Sequence, residues 1–130
     1  MEYSKEEYIK YRISRSKETI KEAKLMMENN KLFAAQNRIY YAIFYIVSAL
    51  AYKDGFSTSK HHQLLGWFNK NYIKTGKLPQ KIGEIYKNQL IYRAESDYDD
   101  FIKPKIEDVK ANFDNMNIFI TTIEKLFLET

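Results

Sequence analysis

The sequence predicts a single all-α domain, folded as an antiparallel up-and-down bundle of about five helices. Helix-favouring lysine, glutamate and isoleucine are abundant, whereas the 130 residues include only four glycines and two prolines. Apolar residues recur at helical spacing in successive segments that are joined by short connections. No internal repeat, low-complexity tract or long linker divides residues 1–130, so we expect one domain.

The first helix is predicted over about residues 4–29. Ser4 and Glu7 have the spacing of a capping box, in which the serine side chain binds a free backbone N–H of the first turn. An irregular apolar stripe follows among charged residues. Asn29 and Asn30 are suitable residues for ending the helix.

The second helix begins near Lys31 and differs from the first because it is apolar nearly all round. Such a helix is typically buried by neighbours on more than one side, so it is predicted to be the centre of the bundle. It ends near Asp54 and Gly55, where glycine allows a left-handed backbone. Its surplus apolar surface also allows a dimer face, and we expect a homodimer.

Three further helices follow. The hydroxyl side chains of residues 57–59 are candidate caps for the third helix, which Gly76 closes. The fourth begins after Pro79, and Pro104 separates it from a fifth helix over about residues 105–128.

Composition narrows the possible functions. The net charge of +4 can raise encounter rates with nucleic acid but does not identify it as a ligand. The absence of cysteine removes thiol catalysis and thiolate metal sites, and it fits a reducing compartment. No signal-peptide pattern opens the chain, and the apolar stretch at residues 39–52 is too short to span a bilayer. We therefore expect a cytoplasmic protein that does not enter a membrane.

The two histidines, His61 and His62, are adjacent and point in different directions on a helix, so they do not form a helical metal pair. Gly76 and Gly83 are too far apart for a phosphate-binding loop. No metal or cofactor is predicted. His61 is a candidate general base or ligand contact, although a histidine in a first helical turn is more often a solvated or capping residue.

The segment of residues 93–101 combines one arginine, four acids and a tyrosine at the end of an apolar helical pattern. Arg93 and Asp97 share a helix face, whereas Asp99 falls where the helix should end. One interpretation is an intrahelical ion pair followed by an acidic loop. The other is a polar site that faces a ligand or partner, with Tyr98 as a candidate stacking residue.

Polar residues also interrupt the second helix. Asn37 and Tyr41 share a face, and a buried polar tip needs a partner. This polarity indicates either a structural network with the fourth helix or a cleft between the two helices. The candidate binding residues are Asn37, Tyr40, Tyr41, Asp97 and Asp99, beside Arg93 and Tyr98.

Several blocks of the sequence together resemble the HEPN family of small single-domain prokaryotic proteins. The resemblance covers about residues 5–128. Its blocks are Ala-Ala-Gln-Asn-Arg-Ile-Tyr-Tyr-Ala-Ile-Phe-Tyr from Ala34, Lys60-His61 before Leu64 to Phe68, Tyr72 to Gly76, Tyr92-Arg93, and Ser96 to Phe101.

The resemblance implies a bundle of four to five helices, frequent homodimers, and roles in RNA processing, phage defence or toxin-antitoxin systems. Many family members are encoded beside a minimal nucleotidyltransferase. In the ribonuclease branch, an arginine followed by four to six residues and a histidine forms a metal-independent site, often shared across the dimer. The arginine stabilises phosphate charge and the histidine handles the proton.

The chain departs from this ribonuclease motif. Arg93 matches the family arginine, but Tyr98 stands where the histidine is expected, and Ala94 replaces a residue that is often polar. A tyrosine with an ordinary pKa of about 10 is a poor base at neutral pH. The acids at 97, 99 and 100 would also repel a phosphate. His61 is the remaining candidate, if the third helix brings it near Arg93.

Three hypotheses follow. The leading one is a binding or regulatory module of a toxin-antitoxin or defence system, acting with a nucleotidyltransferase, an RNA or a nucleotide. The second is a metal-independent ribonuclease toxin that uses Arg93 with Tyr98 or His61. The third is a structural dimerisation domain, in which the polar cluster only joins the second and fourth helices.

Overall fold

The computed structural model describes residues 4–98 and 103–129, and within the last turn before the gap it describes the backbone but not the side chains of residues 95–98. This part of the chain is all-α, as predicted. Its helices are α1 (Lys5–Glu28), α2 (Leu32–Lys53), α3 (His61–Phe68), α4 (Gln80–Tyr98) and α5 (Ile106–Leu128), and a π-helical turn (Asn69–Ile73) continues α3.

The ends of α1 and α2 follow the predicted capping signals. Ser4 Oγ accepts a hydrogen bond from the Glu7 backbone N–H at 3.1 Å, which fixes the start of α1. Asn30 has a φ of 56° and Gly55 a φ of 89°, so left-handed residues follow both helices. Asparagine and glycine tolerate this conformation better than other residues, and the chain can therefore reverse after each helix.

Helix α2 is the centre of the bundle, as its apolar composition predicts. It packs against all four other helices. Twelve of its 22 residues are buried, including Ile39, Tyr40, Ile43 and Val47. The fold therefore holds the buried side chains of α2 in fixed positions relative to α3 and α4.

The start of α3 corrects one prediction. Lys60 occupies the N-cap position and makes no side-chain capping bond, so the hydroxyls of residues 57–59 do not cap the helix. Instead, Thr58 Oγ1 accepts from the Lys60 backbone N–H at 3.1 Å and donates to Gln63 Oε1 at 2.7 Å. Thr58 thus shapes the turn that leads into His61.

The π-helical turn after α3 is held from two sides. The Tyr72 hydroxyl donates to Asp54 Oδ2, which ties the turn to the end of α2. On the other side, a Cβ added to Gly83 of α4 would lie 3.0 Å from Ile73 Cγ1 and 3.2 Å from Asn69 Oδ1. Glycine at this position therefore lets α4 approach the turn closely.

A ring of three amide side chains joins α2, α4 and α5. Gln36 Nε2 donates to Gln89 Oε1 at 2.8 Å, Gln89 Nε2 donates to Asn112 Oδ1 at 3.1 Å, and Asn112 Nδ2 donates to Gln36 Oε1 at 2.8 Å. Each amide donates once and accepts once, so the ring is closed. Because Gln36 and Gln89 are almost completely buried, these bonds satisfy groups that water does not reach.

Candidate functional site

The candidate site is centred on Tyr40, a fully buried residue of α2. Its hydroxyl oxygen lies 2.6 Å from Nδ1 of His61, the first residue of α3. The guanidinium carbon of Arg93, on α4, lies 5.6 Å from the centroid of the Tyr40 ring. Tyr40 therefore contacts a histidine and an arginine that are supplied by two other helices. We call Tyr40, His61 and Arg93 the central triad.

Two arginines contact the ring of the second tyrosine, Tyr41. The guanidinium carbons of Arg38 and Arg93 are 5.1 Å and 5.5 Å from the Tyr41 centroid. Contacts of this length between a guanidinium group and an aromatic ring are attractive. They place Arg93 against both consecutive tyrosines of α2, whose rings meet edge to face at 5.3 Å.

Asn37 contacts Arg38, the residue that follows it in α2. Its Oδ1 accepts from Arg38 Nη2 at 2.9 Å and from Arg38 Nε at 3.3 Å. Arg38 also pairs with Glu22 of α1 at 3.4 Å. Asn37 thus orients a cation beside Tyr41.

His61 has an environment that favours the neutral imidazole. The ring is half-buried and packs against Phe44, with 4.7 Å between ring centroids. Burial lowers the pKa of His61 below its ordinary 6.5, and the positive charges of Arg93 and His62 lower it further. At neutral pH the imidazole is therefore uncharged, which is the form that accepts a proton.

Tyr40 remains protonated because burial raises its pKa above the ordinary value, although the charge of Arg93 opposes this shift. Its hydroxyl can accept a hydrogen bond from Nδ1–H of His61. That arrangement leaves Nε2 as the acceptor nitrogen of the neutral ring. Since Tyr40 is buried while His61 and Arg93 are half-buried, solvent reaches the two outer members of the triad and not the tyrosine.

The remaining candidates lie at or beyond the end of α4. Asp97 and Tyr98 are the last two residues of α4, and their side chains lie outside the part of the chain that the structure describes. Asp99 lies outside the described residues altogether. The structure thus brings Tyr40, Tyr41, His61 and Arg93 together and attaches Asn37 indirectly.

The sequence pattern does not predict the contact between His61 and Tyr40, because it does not determine the path of the loop that separates them. One feature of the sequence could have indicated this contact. Tyr40 and Phe44 are four residues apart and share a face of α2, and both rings contact the His61 ring, at 5.4 Å and 4.7 Å. Two aromatic rings at this spacing form a surface on which a planar side chain from another helix can pack.

Over residues 4–98 and 103–129, no group of three or more histidine, cysteine, aspartate or glutamate side chains is arranged to hold a metal ion. In the same ranges, no helix is both long enough and apolar enough to span a membrane.

Comparison with known proteins agrees with this all-α bundle. The family model described as the HEPN domain matches residues 9–126. A Thermotoga maritima relative, named UPF0332 protein, is 40% identical over 122 residues, which cover 94% of this chain and 92% of the relative. A Methanocaldococcus jannaschii relative, named "Putative toxin MJ0142", is 33% identical over 94 residues, or 72% of this chain and 64% of the relative. The fold is that of a small all-α domain. The chain belongs to the HEPN family.

Proposed function

We propose that this HEPN protein is a metal-independent ribonuclease of the toxin type, with Arg93 as the phosphate-binding residue and His61 as the general base. The observation that carries the proposal is the central triad, in which one buried tyrosine contacts both side chains. The name of the M. jannaschii relative supports the toxin assignment. A histidine supplied by α3 would replace the one that the family motif places after the arginine, where this chain has Tyr98.

The reaction requires two chemical operations that the triad can perform. Nε2 of neutral His61 takes the proton of an RNA 2'-hydroxyl, and the resulting oxygen attacks the adjacent phosphorus. The bond between phosphorus and the 5'-oxygen breaks, leaving a 2',3'-cyclic phosphate and a 5'-hydroxyl that receives a proton from the imidazolium. Meanwhile Arg93 stabilises the negative charge that accumulates on the non-bridging phosphate oxygens.

Tyr40 acts in this scheme as a positioning residue. A hydrogen bond from Nδ1–H to the Tyr40 oxygen would hold the ring and direct Nε2 outward. The tyrosine ring also keeps the Arg93 guanidinium at a fixed distance from the imidazole. Both functional groups are then held before substrate binds, which reduces the entropy lost in reaching the reactive geometry.

A binding or regulatory function is the second candidate. It is favoured by exposed apolar side chains beside the site, since Ile91 and Tyr92 of α4 are 42% and 40% exposed and directly precede Arg93. A nucleotidyltransferase, an RNA or a second copy of the chain in a homodimer would be the partner, in the cytoplasm. In this case the triad would recognise a ligand without cleaving it. The third hypothesis, a structural domain, requires neither RNA cleavage nor ligand recognition.

The test is cleavage of a mixed structured RNA by the purified protein in excess chelator. The comparison includes wild type, Arg93→Ala, His61→Ala and the matched control His62→Ala, which removes the exposed neighbouring histidine. We expect cleavage by wild type and by His62→Ala, and a loss of about 10²- to 10⁴-fold in the other two variants.

The products distinguish this reaction from contamination, because the scheme predicts 2',3'-cyclic phosphate ends. A well-folded wild type that cleaves no RNA would contradict the proposal and favour the binding candidate. Equal loss in His61→Ala and His62→Ala would remove His61 from the mechanism.

A further inference from the structure

A series of arginine and tyrosine contacts leads away from the central triad along α1 and α2. The guanidinium carbon of Arg12 lies 5.2 Å from the ring centroid of Tyr8 and 5.5 Å from that of Tyr45. The guanidinium carbon of Arg15 lies 5.2 Å from the same Tyr45 centroid, and the ring centroids of Tyr45 and Tyr41 are 6.0 Å apart. We call Tyr8, Arg12, Arg15, Tyr45 and Tyr41 the arginine-tyrosine strip.

The strip is continuous with the proposed catalytic residues. Its end at Tyr41 contacts Arg93, as described above. Its other end, at Tyr8, packs against Tyr52 with 4.4 Å between centroids. A cavity of about 340 Å³ opens there, and its lining includes Tyr8, Arg12, Tyr52 and Phe44. Because Phe44 also contacts His61, the cavity and the triad are neighbours.

The five side chains of the strip share one property, which is partial burial. Tyr8, Arg12, Arg15, Tyr41 and Tyr45 are each half-buried. Their positions are therefore fixed by packing while part of each group stays open to solvent. Arg12 Nε, for example, donates to the Tyr8 hydroxyl at 3.0 Å.

The charge of this surface is positive. Arg12, Arg15 and Arg38 lie on or beside the strip, and two carboxylates of the described residues pair with members of this set: Glu18 with Arg15 at 2.9 Å, and Glu22 with Arg38 at 3.4 Å. These three guanidinium groups outnumber the two carboxylates, so an excess of positive charge remains along the strip. The surface therefore suits an anionic chain.

Alternating cations and aromatic rings fit one class of ligand in particular. Arginines bind the phosphates of single-stranded nucleic acid, and unpaired bases stack on tyrosine rings or guanidinium planes. A duplex offers phosphates but not free base faces, and an acidic peptide offers charge without flat rings. We infer that the arginine-tyrosine strip binds single-stranded RNA and leads it to the central triad. That the bound strand is then cleaved rests on the proposed function.

The experiment measures binding separately from cleavage. The probe is a fluorescein-labelled oligoribonucleotide whose 2'-hydroxyls are all O-methylated, so that it cannot be cleaved. Fluorescence anisotropy gives its affinity as a single strand and as a duplex with its complement. Wild type should bind the single strand at least about ten times more tightly, because only the single strand exposes base faces.

Three variants test whether the strip is the binding surface. Tyr45→Leu should weaken single-strand binding by about 5-fold or more, the range of one lost stacking contact. Arg12→Gln should weaken it and reduce the slope of log affinity against log salt by about 1, as for one lost phosphate contact. The matched control is Lys21→Gln, which removes one exposed charge from the opposite face of α1. It should change the affinity by less than about 2-fold, since it leaves the strip intact.

Circular dichroism melting confirms that each variant is folded, and Arg15→Gln replaces Arg12→Gln if the latter is not. Equal weakening by Arg12→Gln and Lys21→Gln would overturn the inference, as would equal affinity for duplex and single strand. Absence of RNA binding by wild type would also overturn it and favour a protein partner for this surface.

The two proposals fail in different ways. Strip-dependent binding without any cleavage of unmodified RNA would support the inference and contradict the proposed function. Cleavage that requires His61 and Arg93, combined with binding that is indifferent to Tyr45 and Arg12, would support the function and contradict the inference.

Discussion

The amide ring and the central triad both join α2 to neighbouring helices, and they differ in composition and exposure. The amide ring of Gln36, Gln89 and Asn112 is uncharged and closed, and each amide both donates and accepts within it. The central triad of Tyr40, His61 and Arg93 carries a permanent charge and a titratable imidazole, and two of its members are half-buried. A closed amide ring can hold helices together but offers little to a ligand. The triad instead contains a charged guanidinium group and an imidazole that can take up a proton.

This contrast predicts that changes in the ring affect stability and changes in the triad affect activity. Gln89→Leu gives the largest effect on stability, because it leaves the buried amide of Gln36 and the half-buried amide of Asn112 without their Gln89 partner. We expect the free energy of unfolding to fall by about 2 to 4 kcal/mol. Urea denaturation measures the change, with Asn88→Leu, an exposed neighbour on α4, as the control. A loss equal to that of the control would show that the ring contributes little.

Arg93→Lys tests whether the triad needs a guanidinium group or only a positive charge. Lysine does not reproduce the planar, two-pronged contact with phosphate oxygens. We expect kcat/KM for RNA cleavage to fall by about 10- to 100-fold, with unfolding free energy changed by less than about 1 kcal/mol. Unchanged cleavage would mean that Arg93 acts as a simple charge.

Tyr40→Phe keeps the ring and its contact with Arg93 but removes the hydroxyl that bonds to His61. A positioning role predicts a fall in kcat of about 10-fold, which is less than the roughly 10²- to 10⁴-fold loss on removing the base itself, because the imidazole is still present. The acid limb of the pH profile should also move to lower pH, because the imidazolium loses a hydrogen-bond acceptor. A lower rate with an unmoved pH profile would indicate a structural role alone.

The smallest predicted effect is on the pH dependence of stability. The pKa of His61 is lowered in the fold, so the unfolded chain binds a proton more readily. Stability should therefore decrease as the pH falls below about 6.5, the ordinary histidine value, and through the lowered pKa. Thermal melting from pH 7.5 to 5 should show a shallower acid loss in His61→Gln than in wild type. His62→Gln, the matched control, should keep most of the wild-type acid loss, because burial and the charge of Arg93 still lower the pKa of His61.

The helix ends show what the sequence can predict. Ser4, Asn30 and Gly55 act through their own backbone or the next few residues, so their roles could be assigned from local pattern. The role of Thr58 was harder to predict, because a hydroxyl before a helix can bond to several nearby groups and the sequence does not select one. Its role became clear only from the position of Gln63.

The site was partly predictable for the same reason. Helical spacing placed Arg93 and Tyr41 on the facing sides of two packed helices, and the structure shows their contact. The bond between His61 and Tyr40 depends on how a loop of several residues positions α3, which no local signal specifies. The amide ring was missed because Gln89 lies in an apolar helical pattern, and its two partners are distant in sequence.

The central claim is that His61 and Arg93 act as one unit on RNA. A double-mutant cycle in kcat/KM, with His61→Ala, Arg93→Ala and the double variant, tests it directly. Residues that act together lose much less in combination than the product of their separate losses, so the double variant should cleave about as slowly as the slower single variant. Independent, multiplicative losses would contradict a joint site, and full activity in His61→Ala would exclude His61 from it.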